Sequence, residues 1–221
     1  MATVQTSATE VLEGLPAPVV FHGVTWNDYE DMLRIVGERP IRVTYNQGTM
    51  ELFMLSLGHE NDAYLLGRMI DTLTEELEIP ILGGGATTHK REDLDKGAEP
   101  DQCYWLRDRA ELMRGKRKLD LNVDPYPDLI IEVDATHSSL DRLQIFAALG
   151  VPEVWRCKGR TLEFLHRQKS GTYRARANSR NFPGLPVAVA ARFLQQGRTT
   201  DMTAWIRSSR NYVREHLLPQ A

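Results

Sequence analysis

Cysteine is scarce in this 221-residue chain, with only Cys103 and Cys157 present. They form no CxxC pair and offer no disulfide framework, which suits a reducing compartment and half-buried hydrophobic roles. No stretch approaches the ~18 consecutive apolar residues of a membrane span. The start, MATVQTSATEVLEGLPAP, has neither the basic nor the apolar region of a secretory leader, so a soluble, cytoplasmic protein is expected. Several catalytic signatures are also missing. Gly83-Gly84-Gly85 is followed by Ala86-Thr87-Thr88, which fits neither a P-loop nor a dinucleotide fingerprint and reads as a bend. His59-Glu60 has Ala63 where a zinc protease needs its second histidine, and there is no GxSxG elbow. Zinc proteolysis and covalent hydrolysis therefore have no support.

Hydrophobic residues make up 42% and charged residues 26%, ordinary globular usage that excludes a disordered chain; the length favours one substantial core. The net charge of -3 hides an asymmetry. Residues 151–221 carry 13 basic side chains against four acidic ones, Glu153, Glu163, Asp201 and Glu215, a balance of +9 that leaves -12 for the rest. A cation-binding centre beside an anionic ligand such as nucleic acid would have this pattern, and so would two solvated faces of opposite sign.

Residues 1–20, with Pro16 and Pro18 and little periodicity, are expected to form a flexible arm ahead of a single domain over 21–221. Thr25 is positioned to cap a helix through Asp28, with Tyr29, Met32, Leu33 and Val36 at helical spacing and a stop at Gly37. IRVTY and TMELFML flank Asn46-Gln47-Gly48 and predict a hairpin. Ala63, Leu66, Met69, Ile70, Leu73 and Leu77 predict a long amphipathic helix over 60–77. Extended segments follow around IPILGGGATTHK and at residues 100–106, separated by the loop REDLDKGAE, and a charged excursion occupies 107–118. DLIIEVD reads as a buried central strand, with a helix capped by Ser138 or Ser139 running to Gly150. Three strands, at 153–157, 161–166 and 172–175, and a final helix over 202–217 complete an α/β domain.

The candidate chemistry lies in carboxylates at strand ends. Glu132 and Asp134 alternate to the same face of one strand, and Asp101 on another strand could join them if the two lie side by side. Converging buried acids are costly to ionise unless paired or metal-bound, and hard oxygen ligands suit Mg²⁺ or Mn²⁺, which can activate water for phosphodiester cleavage. Acids that merely end strands in solvent, or pair with arginines, would show the same spacing.

At these residues the chain resembles the PD-(D/E)XK nuclease superfamily and, within it, the Uma-type putative restriction endonuclease family of bacteria. The similarity runs from about His22 to Leu194 through TYNQGTMELFMLSLGHE, GAEPDQCYW, YPDLIIEVDATHSSLDR and IFAALGVPEVWR. It implies a restriction-endonuclease-like α/β fold with a central mixed β-sheet flanked by helices. By the same resemblance Asp101 and Glu132 together hold a Mg²⁺ or Mn²⁺ ion, and the substrate is DNA. The superfamily lysine is missing: two places after Glu132 stands Asp134, and the next-helix position used by the Uma-type variant holds Arg142. Arginine can stabilise phosphate charge but stays protonated and cannot act as a base. The candidate catalytic set is therefore Asp101, Glu132 and Arg142, with Asp134 a secondary ligand candidate from its alternation with Glu132, and His59. His59 stands with Glu60 at the family's histidine-bearing start of the long helix, and it either reaches the metal centre or is a solvated imidazole of the N-cap region. Lys90 is a substitute for the lysine or a solvated strand charge, Glu51 is a weaker candidate, and Trp155 and Phe146 are assigned to packing.

Two surfaces remain open. Arg156, Lys158, Arg160, Arg167, Lys169, Arg174 and Arg176 would support a nucleic-acid surface if continuous and only solubility if scattered. Met202, Trp205, Tyr212, Val213 and Leu217 give the last helix an apolar stripe, covered either by the domain or by a second copy in a homodimer. The sequence supports a metal-dependent endonuclease, or alternatively a catalytically impaired nuclease-fold protein that binds nucleic acid or a protein partner.

Overall fold

Local chemistry sets the first elements. The Thr25 side chain accepts from the Asp28 N–H, and the Asp28 carboxylate accepts from the Thr25 N–H at 2.8 Å, a reciprocal box that starts the first helix. In the first hairpin Gln47 and Gly48 both have positive φ, which matches the turn to the right-handed twist of its strands.

The computed structural model describes residues 3–6 (backbone only), 18–134, 138 and 140–218. In chain order these form strands β1 (Thr3–Thr6) and β2 (Val19–His22), helix α1 (Trp26–Val36), strands β3 (Ile41–Asn46) and β4 (Thr49–Met54), and helix α2 (Leu57–Glu76). Next come β5 (Ile81–Gly83), β6 (His89–Arg91), β7 (Lys96–Ala98), β8 (Gln102–Leu106), α3 (Asp108–Met113), β9 (Leu129–Val133) and α4 (Arg142–Ala148). Strands β10 (Glu153–Lys158), β11 (Thr161–Arg167) and β12 (Tyr173–Arg176) precede helices α5 (Val187–Gly197) and α6 (Met202–His216).

The strands make two six-stranded sheets rather than one. The first, in order β1-β2-β4-β3-β7-β6, is antiparallel and carries α1 on the cluster of Tyr29, Val43, Tyr45 and Met50. Thr3–Thr6, inside the segment read as an arm, pairs there with Val19–His22. The second, β12-β11-β10-β9-β8-β5, is mixed: β9 and β10 run parallel, joined across α4, and the other pairs are antiparallel.

Alternation divides the second sheet's side chains between two hydrophobic layers. Leu129, Ile131 and Val133 of β9 and Tyr104 and Leu106 of β8 pack with α2, α5 and α6. Ile130 of β9 and Cys103 and Trp105 of β8 pack with α3 and α4. Trp155 and Phe146 are both fully buried, in keeping with packing roles.

The apolar stripe of α6 is covered within the chain. Trp205 and Val213 are buried in the α2/α5 layer, the Trp205 Nε1–H donates to the Phe193 carbonyl at 2.7 Å, and Arg214 pairs with Glu76 of α2. The stripe therefore gives no support to the expected homodimer. The helix expected to start at Ser138 or Ser139 begins instead at Arg142, capped by the Asp141 carboxylate; Ser139 lies outside the described residues. Among the described residues no helix is long and apolar enough to cross a membrane.

A buried carboxylate remote from the strand-end acids shows what full satisfaction looks like. Glu153 is completely buried and accepts from the Arg180 and Asn181 N–H groups, the Asn181 amide and the Trp155 indole at 2.7–3.1 Å. Burial alone would raise its pKa, but His166 and these donors outweigh burial and hold it below the ordinary carboxylate value. Its stabilisation is therefore complete above the ordinary value near 4.5 and fades as pH falls through the depressed one. Glu153→Gln is expected to lower stability by about 2–3 kcal/mol at neutral pH, with the difference from the wild type closing in acid. Urea midpoints measured across pH 3–7 check this; a difference independent of pH would contradict it.

Candidate active site

The register of β8 on β9 pairs Cys103 with Ile130 and Gln102 with Ile131, so the chain direction carries Asp101 alongside Glu132 at the sheet end. Both acids fall on the alternation phase of Cys103 and Ile130, the face covered by α4. Both are buried, Asp101 to 4% exposure and Glu132 to 2%.

Asp101 Oδ2 accepts from the Val133 N–H at 2.7 Å and lies 3.4 Å from His59 Nε2. His59 enters from the first turn of α2, where Ser56 caps the helix, and its Nε2–H donates to the Val133 carbonyl at 2.8 Å. Burial lowers the His59 pKa, but the Asp101 carboxylate and the Val133 carbonyl outweigh burial and raise it overall.

Glu132 Oε1 receives Arg142 Nη1 at 2.8 Å, in a pair that is almost wholly buried. Arg142 Nη2 donates to the Glu99 carbonyl, and the guanidinium lies over the rings of Phe53 of β4 and Phe146 of α4. Burial pushes the Glu132 carboxyl well above the usual range; Arg142 pulls it back, while the charges of Asp101 and Asp134 add to the rise.

Among the described residues, four buried polar atoms at this locus lack a hydrogen-bond partner: His59 Nδ1, Asp101 Oδ1, Glu132 Oε2 and Arg142 Nε. Glu153, equally deep, has no such orphan. Two unclaimed, hard carboxylate oxygens from neighbouring strands fit a divalent cation of the Mg²⁺ type, which takes one or two carboxylates and keeps several waters. Among the described residues no group of three or more His, Cys, Asp and Glu converges as a metal cage, so an ion here would rest on Asp101 and Glu132.

The other sequence candidates lie apart from this pair. Asp134 receives Arg156 Nε at 2.8 Å and is that arginine's counter-ion. Lys90 is bound to Glu30 of α1 at 2.6 and 2.7 Å and does not reach the acids. Glu51 is fully buried in the first sheet, where its Oε1 accepts from the Ser138 hydroxyl at 2.7 Å. The basic segment is split by register: Arg156 and Lys158 alternate to one face of the second sheet, whereas Arg174 and Arg176, opposite His166 and Phe164, lie on the other. No continuous stripe forms on these strands.

Two contributors escaped the sequence reading. Glu99 supplies the carbonyl that anchors Arg142, while its carboxylate ties Val43 of β3 and Thr88 into the same junction. Phe53 provides an aromatic seat for the guanidinium from the other sheet. Both stand inside the segments GAEPDQCYW and TMELFML, but their contacts come from sheet-to-sheet packing, which has no local signal.

The helix-flanked mixed sheet, with the acid pair at the ends of its interior strands β8 and β9, is a restriction-endonuclease-like α/β fold. The chain belongs to the Uma2 family, described as putative restriction endonuclease, which matches residues 26–202. A crystal structure described as a putative nuclease belonging to DUF820, from Anabaena variabilis ATCC 29413, is similar at 13% identity with a TM-score of 0.49, over 80% of this chain and 98% of that one. A comparison with the curated proteins finds no match.

The geometry separates a structural from a functional role for Asp101. Asp101→Ala leaves the buried Val133 N–H without an acceptor, whereas Asp101→Asn can keep that bond while relieving repulsion with Glu132. Asp101→Asn is expected to unfold at or above the wild-type denaturant midpoint, and Asp101→Ala to be about 1–3 kcal/mol less stable than Asp101→Asn. Equal midpoints for the two variants would remove the structural role.

Proposed function

We propose that the protein is an endonuclease that hydrolyses DNA phosphodiester bonds with Mg²⁺ or Mn²⁺, held by Asp101 Oδ1 and Glu132 Oε2. The observation that carries this reading is the coincidence of two unpartnered buried carboxylate oxygens and one unpartnered guanidinium N–H at the same sheet end. Buried polar atoms are normally paired, and clusters of exceptions mark places where a ligand completes the set. Membership of a family of putative restriction endonucleases supports DNA as the substrate class.

When bound, such an ion supplies Lewis-acid charge at the phosphate and lowers the pKa of a coordinated water. Arg142 holds a fixed positive charge at Glu132, and its buried Nε–H, without a partner among the described residues, would stabilise transition-state charge on a phosphate oxygen brought against it. It cannot take a proton, so it replaces only the electrostatic part of a lysine's role. His59 is a positioning residue: its Nε2–H, shared between the Val133 carbonyl and the Asp101 carboxylate, fixes the orientation of that acid. Asp134 keeps Arg156 neutralised beside Glu132 and acts at one remove.

A second reading, a nuclease-fold protein that binds nucleic acid without cleaving it, is favoured by one feature: no lysine pairs with either acid among the described residues. Supercoiled plasmid incubated with millimolar Mg²⁺ or Mn²⁺ separates the two. The nuclease reading predicts metal-dependent nicking that chelation stops and that Asp101→Asn or Glu132→Gln slows at least about a hundredfold. Equal nicking by all three proteins would discard the assignment of the acids. Metal uptake and DNA retention without nicking would select the second reading.

A further inference from the structure

Arg142 does more at this site than supply charge. Glu132 has two carboxylate oxygens, and Arg142 Nη1 occupies Oε1 at 2.8 Å while Oε2 has no partner among the described residues. The guanidinium cannot easily swing away, because Nη2 is bound to the Glu99 carbonyl and its face is set against Phe53 and Phe146. Both partners are almost completely buried, Arg142 side chain at 6% exposure and Glu132 at 3%, so no bulk water competes for the bond. Asp101 is restricted in the same way, since its Oδ2 is committed to the Val133 N–H at 2.7 Å and only Oδ1 is open. Each acid thus has one oxygen engaged by a donor and one without any among the described residues.

That restriction discriminates between cations. Ca²⁺ takes six to eight oxygens in flexible geometry and gains from carboxylates that chelate through both oxygens, whereas Mg²⁺ and Mn²⁺ accept single carboxylate oxygens, with water filling an octahedral shell. The geometry points to Arg142 as a metal-selectivity residue: by holding Glu132 Oε1 it limits that glutamate to one oxygen and so disfavours Ca²⁺ relative to Mn²⁺ and Mg²⁺. This inference rests on the reading of Asp101 and Glu132 as metal ligands and assigns the neighbouring arginine a role that its charge alone would not give.

The test measures binding by calorimetry, with Mn²⁺ and Ca²⁺ titrated separately into the wild type, Arg142→Met and Arg142→Lys. Arg142→Met frees Oε1 in a side chain of similar reach. Arg142→Lys keeps the positive charge but cannot span Glu132 and the Glu99 carbonyl with one planar fork. The wild type should prefer Mn²⁺, and the ratio of Ca²⁺ to Mn²⁺ affinity should rise roughly tenfold or more in Arg142→Met and by a smaller factor in Arg142→Lys. If circular dichroism shows Arg142→Met unfolded, Arg142→Lys decides alone, a raised ratio supporting the role and an unchanged one overturning it. A wild type that binds Mn²⁺ with the same ratio as its folded variants overturns the selectivity role and leaves the metal site standing. A wild type that takes up neither ion, matching Asp101→Asn, overturns both.

Discussion

Two carboxylates brought to one buried face repel each other, and the contacts at this sheet end offset that cost only in part. Arg142 offsets part of it through a 2.8 Å contact to one oxygen of Glu132. The Val133 N–H and His59 offset part of it at Asp101. The remainder is left: one oxygen on each acid has no donor among the described residues, and the Glu132 carboxyl is driven above the usual range by burial and by its acidic neighbours. Glu153, two strands from Asp101 in the same sheet, proves that this fold can satisfy a fully buried glutamate when satisfaction is all that is required. Among the described residues, Asp101 and Glu132 carry the only buried carboxylate oxygens without a partner.

The two sheets have different tasks. The second sheet brings the acids together through the antiparallel register of β8 and β9, and its parallel crossover from β9 to β10 delivers Arg142 at the start of α4. The first sheet closes the site from outside: Phe53 supports the guanidinium, Glu51 holds the Ser138 hydroxyl, and the Glu99 carboxylate receives the Val43 N–H. Substitutions in β3 or β4 can therefore reach Glu132 through the Val43–Glu99 link or Phe53, and through Arg142, without touching either carboxylate.

Legibility in the sequence followed the range of the interactions. The α1 cap and the first hairpin were readable because Thr25-Asp28 and Asn46-Gln47-Gly48 carry their own hydrogen-bonding and φ requirements. Alternation foretold that Asp101 and Glu132 could meet. It also put Asp134 with Glu132, yet Asp134 is engaged by Arg156, a partner four residues into the crossover strand's own register that spacing does not reveal. Helix α5 gave no start signal because its cap position is Pro186, which has no side-chain acceptor, and its first turn holds two valines. The division into two sheets depends on pairings such as Tyr45 with Gly97, far apart in the chain and without local signature. Arg142 was located by resemblance as an occupant of the lysine's place; that it grips Glu132 is information only the packed structure carries.

If Asp101 and Glu132 hold one cation, it would lie at their unpartnered oxygens. Crystals grown or soaked with Mn²⁺ and measured at the manganese absorption edge test it most directly. An anomalous peak beside Asp101 and Glu132, with Arg142 still on Glu132 Oε1, is the expected result. A peak elsewhere, or no peak at saturating Mn²⁺ with Arg142 bridging both oxygens of Glu132, would contradict it.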